Sequence, residues 1–432
     1  MVSESKPWSS TWLRLAHRAL VGTSAWGLAD QVLISGTTFG TMAYLAKGLG
    51  PAEFGAFSLA YLALLLANSM QGALVCQPHN ILGSPLEGAA FRNFTSSLGV
   101  AQLVVAVAFG LLVLVGASVA AVLGLNAHHL ILPLTVAVPA WQLQEFARRV
   151  LYTKGRVRAA FWNDVVSYGG QLVLVALLVA RHELTTALAL YAVGFTSALA
   201  GLAGLWSIRS YLGGRLEAGP IRESWAIGRW FFAATVANWF ASQMYPVLTA
   251  GVLGVYATGV FRALQNLIAP TQILANAFQT LGTPRASREH ARGGRHALTS
   301  FLARASVLLA VPLLGYFLLV GAFARPLIAL FYSPAYAQAA FVIWPLGLAY
   351  VLSYTGRVLG IGLAASHRSR PLFHAQLVAA GTTFSAGLLL VRNYGLMGAA
   401  WGAALTQAVQ VAMLAWYMSR DDYGGKDPAT AA

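Results

Sequence analysis

Apolar residues run along this chain in stretches of about 20, the length a helix rising 1.5 Å per residue needs to cross the roughly 30 Å hydrocarbon core of a bilayer. A first set of six spans Trp26–Ala46, Phe54–Leu74, Leu98–Leu123, Leu130–Val150, Ala159–Val179 and Leu184–Trp206. A second set follows at Trp230–Val252, Tyr256–Leu281, Phe301–Ala322, Ala337–Leu363, Pro371–Val391 and Leu396–Met418. Strict polar and apolar alternation is missing from these runs, and lipid leaves a backbone no hydrogen-bond partners but its own, so each reads as a helix rather than a barrel strand. The pattern predicts an all-α polytopic membrane protein of about twelve transmembrane helices in two six-helix lobes, 26–209 and 230–418, joined by a cytoplasmic linker at 210–229. Outside them lie an N-terminal segment, 1–25, and a tail, 419–432. Met1 to Leu20 lacks the apolar core and small-residue cleavage site of a signal peptide, so its removal is not expected. Trp8, Trp12 and Leu13 alternate with Arg14, His17 and Arg18, which suits a short helix lying on the cytoplasmic interface or a tail without regular structure.

Basic residues sort by connection. The even-numbered ones hold Arg92, then Arg148, Arg149, Lys154, Arg156 and Arg158, then Arg209, Arg215 and Arg222, then Arg285, Arg288, Arg292 and Arg295, then Arg368 and Arg370. The odd-numbered ones hold Lys47, Arg181, Arg325 and Arg392. Short loops rich in Lys and Arg stay on the cytoplasmic side, so both termini are expected there, in a bacterial inner membrane crossed many times.

The chain has 432 residues, 58% hydrophobic and 9% charged, and a net charge of +15. Its mean hydropathy is +0.65 and its pI about 10.2. Too little polar surface remains to cover a water-soluble fold, and the basic excess sits in alternate loops, so it reports topology and not a nucleic-acid partner. A single cysteine, Cys76, excludes an intrachain disulfide and a cysteine metal site.

Two internal matches sit six helices apart. Gly50-Pro51-Ala52-Glu53-Phe54-Gly55-Ala56-Phe57 corresponds to Gly254-Val255-Tyr256-Ala257-Thr258-Gly259-Val260-Phe261. Arg149-Val150-Leu151 with Arg156, Arg158 and Phe161 corresponds to Arg357-Val358-Leu359 with Arg368, Arg370 and Phe373. An even number of helices per half gives both halves one orientation, hence a repeat axis along the membrane normal and a cavity expected between two bundles.

An ionisable side chain at membrane depth needs a partner or water. Asp30, Arg149, Asp164, Arg262 and Arg357 stand out. Two readings stay open for them: a cytoplasmic gate in which Asp30, Asp164, Arg149 and Arg357 pair, with ion coupling at Asp30, Asp164 and Arg149, or a permanent ion pair and snorkelling to the interface. The eighth helix adds Gln265, Asn266, Gln272 and Asn276 to Arg262 around Pro270, a polar stripe that suits the wall of an aqueous cavity or hydrogen bonding between helices. Gln71 and Asn68, and Asn238 and Gln243, are weaker candidates of the same kind. No Walker-type Gly-x-x-x-x-Gly-Lys-Ser/Thr, His-Glu-x-x-His or cysteine pair occurs, so neither catalysis nor a cofactor is expected.

The chain resembles the Wzx-like polysaccharide flippases of the multidrug/oligosaccharidyl-lipid/polysaccharide exporter (MOP) superfamily, relatives of MATE transporters. The resemblance rests on Ala29-Asp30-Gln31, on Leu49 to Gly55, on Gln71 with Pro78, on Arg148-Arg149 with Lys154-Gly155-Arg156, on Phe261 to Leu267, and on Tyr394 to Ala400. It implies a MATE-like fold whose cavity opens alternately to each side, and export of an undecaprenyl-diphosphate-linked oligosaccharide for lipopolysaccharide or exopolysaccharide assembly beside polymerase and assembly proteins. It also implies transport powered by an H+ or Na+ gradient. The substrate would meet Arg262, Arg357, Gln265, Asn266, Gln272 and Asn276. Two alternatives stand beside it: a MATE-type exporter of small cations, for which a net-negative cavity is expected, and a membrane glycan polymerase or ligase.

Overall fold

The computed structural model describes residues 23–122, 128–366 and 370–420, and among these the chain is helical without a strand. Most of the N-terminal interfacial segment, Arg368 of the second repeat match and nearly all of the C-terminal tail lie outside the described residues.

Among the described residues, seven helical stretches are long and apolar enough to cross a membrane. Two of them, Ala25–Gly83 with 59 residues and Arg370–Ser419 with 50, each hold two crossings, because Gly50 and Gly395 leave the helical conformation inside them. Among the described residues the chain is therefore a series of twelve long rods, with a short helix, Ala324–Phe331, between the ninth and the tenth: α1 (23–49), α2 (51–83), α3 (Gly88–Val122), α4 (His128–Thr153), α5 (Val157–Ala180), α6 (Thr186–Ile208), α7 (218–253), α8 (255–292), α9 (295–322), α10 (Pro334–Ala365), α11 (370–394) and α12 (396–419). Non-helical Gly293 and Gly294 divide α8 from α9, and Pro270 interrupts α8 after Ile268. The rods that fall short of the apolar standard are α4, α7 and α8. Polar side chains lower their hydropathy, and these three rods carry most of the site chemistry described below. On α3, by contrast, only 22% of the apolar window is buried in protein, which leaves its other face to lipid.

Two compact units divide the chain: 1–41 with 63–232, and 42–62 with 233–432. Residues 42–62, which the hydrophobic pattern alone places in the first half, thus pack with the second. The reason lies in the first internal match. Gly50 (φ 73°, ψ 172°) and Gly254 (φ 87°, ψ 174°) share one backbone conformation that side-chain-bearing residues rarely adopt. Five residues on, a methyl group on Gly55 would run into the Val255 carbonyl, and one on Gly259 into the Pro51 carbonyl. Residue 55 meets 255 as 259 meets 51, so the repeated motif is a reciprocal backbone contact. Phe57 and Phe261, which close the two motifs, are both fully buried.

In the first unit, Phe91, Phe94, Leu98, Phe146, Val150 and Leu151 form an apolar core. Small residues let α4 and α6 approach, Gly194 packing on Ala137 and Gly204 on Ala147. Gln71 donates to Gln102 Oε1 at 2.8 Å and to the Gln142 carbonyl at 2.8 Å. Of the two open readings for Gln71, the structure therefore selects hydrogen bonding between helices. In the second unit, Leu298, Leu302, Val358 and Ile361 pack α9 against α10.

Candidate functional site

A cavity of about 680 Å³ lies within the second unit. Rod α8 supplies Arg262, Gln265, Gln272 and Gln279, and α10 supplies Tyr350, Ser353 and Arg357. Asn238 and Gln243 of α7, Gln376 of α11, and Gln407 and Gln410 of α12 complete its polar wall. Among the described residues its lining contains two guanidiniums and no carboxylate. Among the described residues, neither arginine makes an ion pair.

Amides hold both guanidiniums. Arg262 Nη1 donates to Gln265 Oε1 at 3.1 Å, one helical turn along α8, with Tyr61 and Tyr350 as electrostatic neighbours. Arg357 Nη2 donates to Gln272 Oε1 at 3.1 Å and its Nη1 to Asn276 Oδ1 at 3.3 Å. Its guanidinium also stands 6.0 Å from the Tyr354 ring centroid. Neutral acceptors orient these groups without cancelling their charge, which leaves both for an anion. The side-chain amides along the wall donate and accept at once, the pairing that suits hydroxyl-rich ligands. Gln265, Gln272 and Gln279 recur every seven residues, two turns apart, so they stand in file over about 21 Å of α8.

Of the residues expected here from the sequence, Arg262, Arg357, Gln265 and Gln272 line the cavity together. Asn276 is placed one bond behind, as an acceptor for Arg357. Asn266 is not in the lining: its amide donates to Tyr332 Oη at 3.1 Å. Gln265 and Asn266 point about 100° apart on the helix, and of the two only Gln265 is turned to the cavity. Asn238 and Gln243 do line the cavity, as the weaker reading held. The sequence reading missed Gln279, Gln376, Gln407 and Gln410. For Gln279, the seven-residue spacing from Gln272 was the available signal.

The second charged site lies inside the first unit and centres on Arg148, not on Arg149. Arg148 reaches Asp164 Oδ2 through Nε at 2.5 Å, Glu145 Oε2 through Nη1 at 3.0 Å, and Asp30 Oδ2 through Nη2 at 3.0 Å. Tyr152 Oη also donates to Asp30 Oδ2, at 2.5 Å, and Gln144 Nε2 to Asp164 Oδ1 at 2.8 Å. Arg149, aligned with Arg357 by the second internal match, bonds Glu145 and leaves 40% of its side chain exposed. The correction has the same cause as Asn266. Gln144, Arg148 and Tyr152 follow one another at i+4 on the inward face of α4, while Arg149 is turned off it. Glu145, unnoticed in the sequence, bridges both arginines. A single-turn π-helix, Val165–Gly169, begins directly after Asp164; such bulges recur at functional sites. Arg357 takes its partners inside the second unit, so the expected set of Asp30, Asp164, Arg149 and Arg357 is divided between two sites.

Replacing Arg148 by Met is expected to destabilise the first unit by about 3–5 kcal/mol, because it leaves Asp30 and Asp164 buried without their countercharge. Thermal unfolding of the purified protein in detergent measures it. An unchanged midpoint would contradict the assignment of Arg148 as the hub.

Residues 44–340 match the family described as polysaccharide biosynthesis protein. The succinoglycan biosynthesis transport protein ExoT of Rhizobium meliloti (strain 1021) is 27% identical over 339 residues, which are 75% of this chain and 64% of that relative. The chain thus spans less than two thirds of that relative's length. Among solved structures, lipid II flippase MurJ in an inward closed conformation superposes with a TM-score of 0.70 at 13% identity, covering 92% of this chain and 87% of its own. An inward-facing multidrug resistance MATE family transporter of the MOP superfamily superposes with a TM-score of 0.69 at 14% identity, covering 94% and 97%. A MOP superfamily transporter from Pyrococcus furiosus, whose binding pocket is described as reversed in polarity, superposes at 0.64 with 14% identity, covering 92% and 96%.

Proposed function

The chain belongs to the polysaccharide biosynthesis protein family and is a multi-pass membrane protein with the MOP transporter fold; from that premise we propose that it flips a lipid-linked oligosaccharide repeat unit from the cytoplasmic to the periplasmic leaflet by alternating access. The observation that carries this reading is the cavity with Arg262 and Arg357 in its wall and no carboxylate. A diphosphate linker offers two adjacent anionic groups to two planar guanidiniums that bind phosphate in forked pairs. The file of glutamines over about 21 Å suits an extended chain of sugars more than a single one. Export of small cations is disfavoured by the same wall, since two uncancelled positive charges repel that cargo.

Energy for the cycle would enter at the first unit. Asp30, Glu145 and Asp164 set three carboxylates against Arg148 and Arg149. The surplus negative charge in a buried setting is one that a bound proton or sodium ion would neutralise. Among the described residues, Asp30 Oδ1 has no hydrogen-bond partner and offers the place. The arginine-rich connections support an inner-membrane location with both termini cytoplasmic. A polymerase or assembly protein taking the glycan at the periplasmic side would be the partner.

Reconstitution in liposomes tests the reading. Fluorescent undecaprenyl-diphosphate oligosaccharide placed in one leaflet should become accessible to a membrane-impermeant reagent on the other side, with no change in glycan length. An imposed H+ or Na+ gradient should accelerate it. A glycan that lengthens instead would identify a polymerase, and a purely organic cation as the transported species would identify an exporter.

A further inference from the structure

At one end of the first unit, the described residues form a second hollow, of about 310 Å³, lined by Arg156, Trp206, Ser207, Arg209 and Ser210. It sits where α5 begins and α6 ends. Arg156 Nη1 donates to the Ser207 carbonyl at 2.8 Å and Arg209 Nη1 to the Trp206 carbonyl at 3.0 Å. Both bonds end on carbonyls of the last turn of α6, the Trp206 carbonyl also accepting the Arg209 backbone N–H, and a positive charge there complements the helix dipole. Capping explains one nitrogen of each guanidinium. Both guanidiniums line one hollow and neither makes an ion pair among the described residues, so the positive potential they share attracts an anion.

The surroundings say which anion. The Arg209 guanidinium lies 4.1 Å from the Trp206 ring centroid, and Trp206 is 68% exposed. Behind it Tyr191, Phe195, Leu199 and Leu202 are exposed at helical spacing along α6, an apolar stripe that ends at the tryptophan. An amphipathic ring at the end of such a stripe marks the headgroup level of a bilayer. Directly beyond it stand Arg156, Arg209 and Ser210, while the Ser207 hydroxyl donates to the Ala203 carbonyl at 2.9 Å. A free anion would need the hollow alone; a lipid uses the hollow and the stripe together.

We propose that this hollow binds the phosphate headgroup of an anionic phospholipid, such as phosphatidylglycerol or cardiolipin, from the leaflet facing the arginine-rich connections, with its acyl chains along the α6 stripe. Basic pockets at that end of transmembrane helices are suited to such headgroups. The lipid would cross-link the start of α5 to the end of α6 through Arg156 and Arg209, and so tie lipid composition to the stability of the unit that holds the Asp30–Arg148–Asp164 cluster.

The test uses the full chain in detergent micelles, titrated with phosphatidylglycerol, with phosphatidylcholine of the same acyl chains, and with inorganic phosphate. Thermal unfolding and native mass spectrometry of retained lipid are the two readouts. Phosphatidylglycerol should raise the unfolding midpoint by several degrees more than phosphatidylcholine and remain bound in the gas phase. In Arg156→Gln/Arg209→Gln that preference should vanish while the response to phosphatidylcholine persists, even where loss of the caps lowers the midpoint itself. Equal responses to both lipids in the unaltered protein would overturn the proposal, as would an anionic preference that survives in the double variant. Inorganic phosphate reproducing the full effect would make the site one for free phosphate, and would equally overturn the assignment to lipid.

Discussion

Flipping by the Arg262→Ala/Arg357→Ala double variant is expected to fall at least about 100-fold, while each single variant loses about 10- to 100-fold at low substrate. A charge-assisted hydrogen bond is worth about 1.5–3 kcal/mol, and 1.4 kcal/mol is a factor of ten. On the proposed reading the two residues act on one anion, and they are held by separate amides, Arg262 by Gln265 and Arg357 by Gln272 and Asn276, so either can be removed without releasing the other. Arg→Lys should fall between the unaltered protein and Arg→Ala, because the charge stays and the fork is lost. Membrane insertion should be unaffected, since neither arginine neutralises a carboxylate among the described residues. Flipping in liposomes reads the rate, and surface polysaccharide in a complemented deletion strain reads the physiological consequence. Normal polysaccharide with the double variant would remove both arginines from the substrate site.

The largest loss of folded protein is expected from a methyl group at the reciprocal glycine contact. Gly259→Ala puts its Cβ against the Pro51 carbonyl, and Gly55→Ala against the Val255 carbonyl. An added core methyl typically costs about 1–3 kcal/mol when side chains can turn aside. Here the atoms met are backbone, so the cost should exceed that range and most of either variant should fail to reach a monodisperse state by size exclusion. The two substitutions share one contact, and the double variant should therefore lose less than the sum of the singles. Gly110→Ala is the control. Gly110 lies in α3, and a Cβ there has nothing within 4 Å; alanine favours a helix over glycine by about 1 kcal/mol, so that variant should be unchanged or slightly stabilised. Equal yields of Gly259→Ala and Gly110→Ala would contradict the close approach.

Much of this was legible from residue order. The two motifs Gly50 to Phe57 and Gly254 to Phe261 were visible as a repeat, and they proved to touch, which a repeat in sequence does not by itself require. Arg262, Gln265, Gln272 and Arg357 were found because charge and amides are conspicuous against an apolar background. The errors fell on adjacent pairs. Asn266 was expected beside Gln265 but stands off the cavity, and Arg149 was singled out where Arg148 is the one that bonds Asp30 and Asp164; about 100° of helix separates the members of each pair. Gln376, Gln407 and Gln410 escaped notice because no charge stands beside them in the sequence; they became part of the site when α11 and α12 were brought to α8 and α10.

The sequence by itself determined the material of this protein: a membrane chain of about twelve helices, with one glycine motif repeated six helices on and basic residues gathered in alternate connections. It could do so because lipid satisfies no backbone hydrogen bond, and this forces helices wherever apolar residues run on for long enough, whatever lies elsewhere in the chain. Tertiary structure alone decided which charges cancel. Asp30 and Arg148 are 118 residues apart and share a bond, whereas Arg262 and Arg357 meet amides and keep their charge toward the cavity. Whether a buried charge is neutralised or left for a ligand depends on distances of a few ångströms between helices remote in sequence, and no run of residues along one helix encodes that distance.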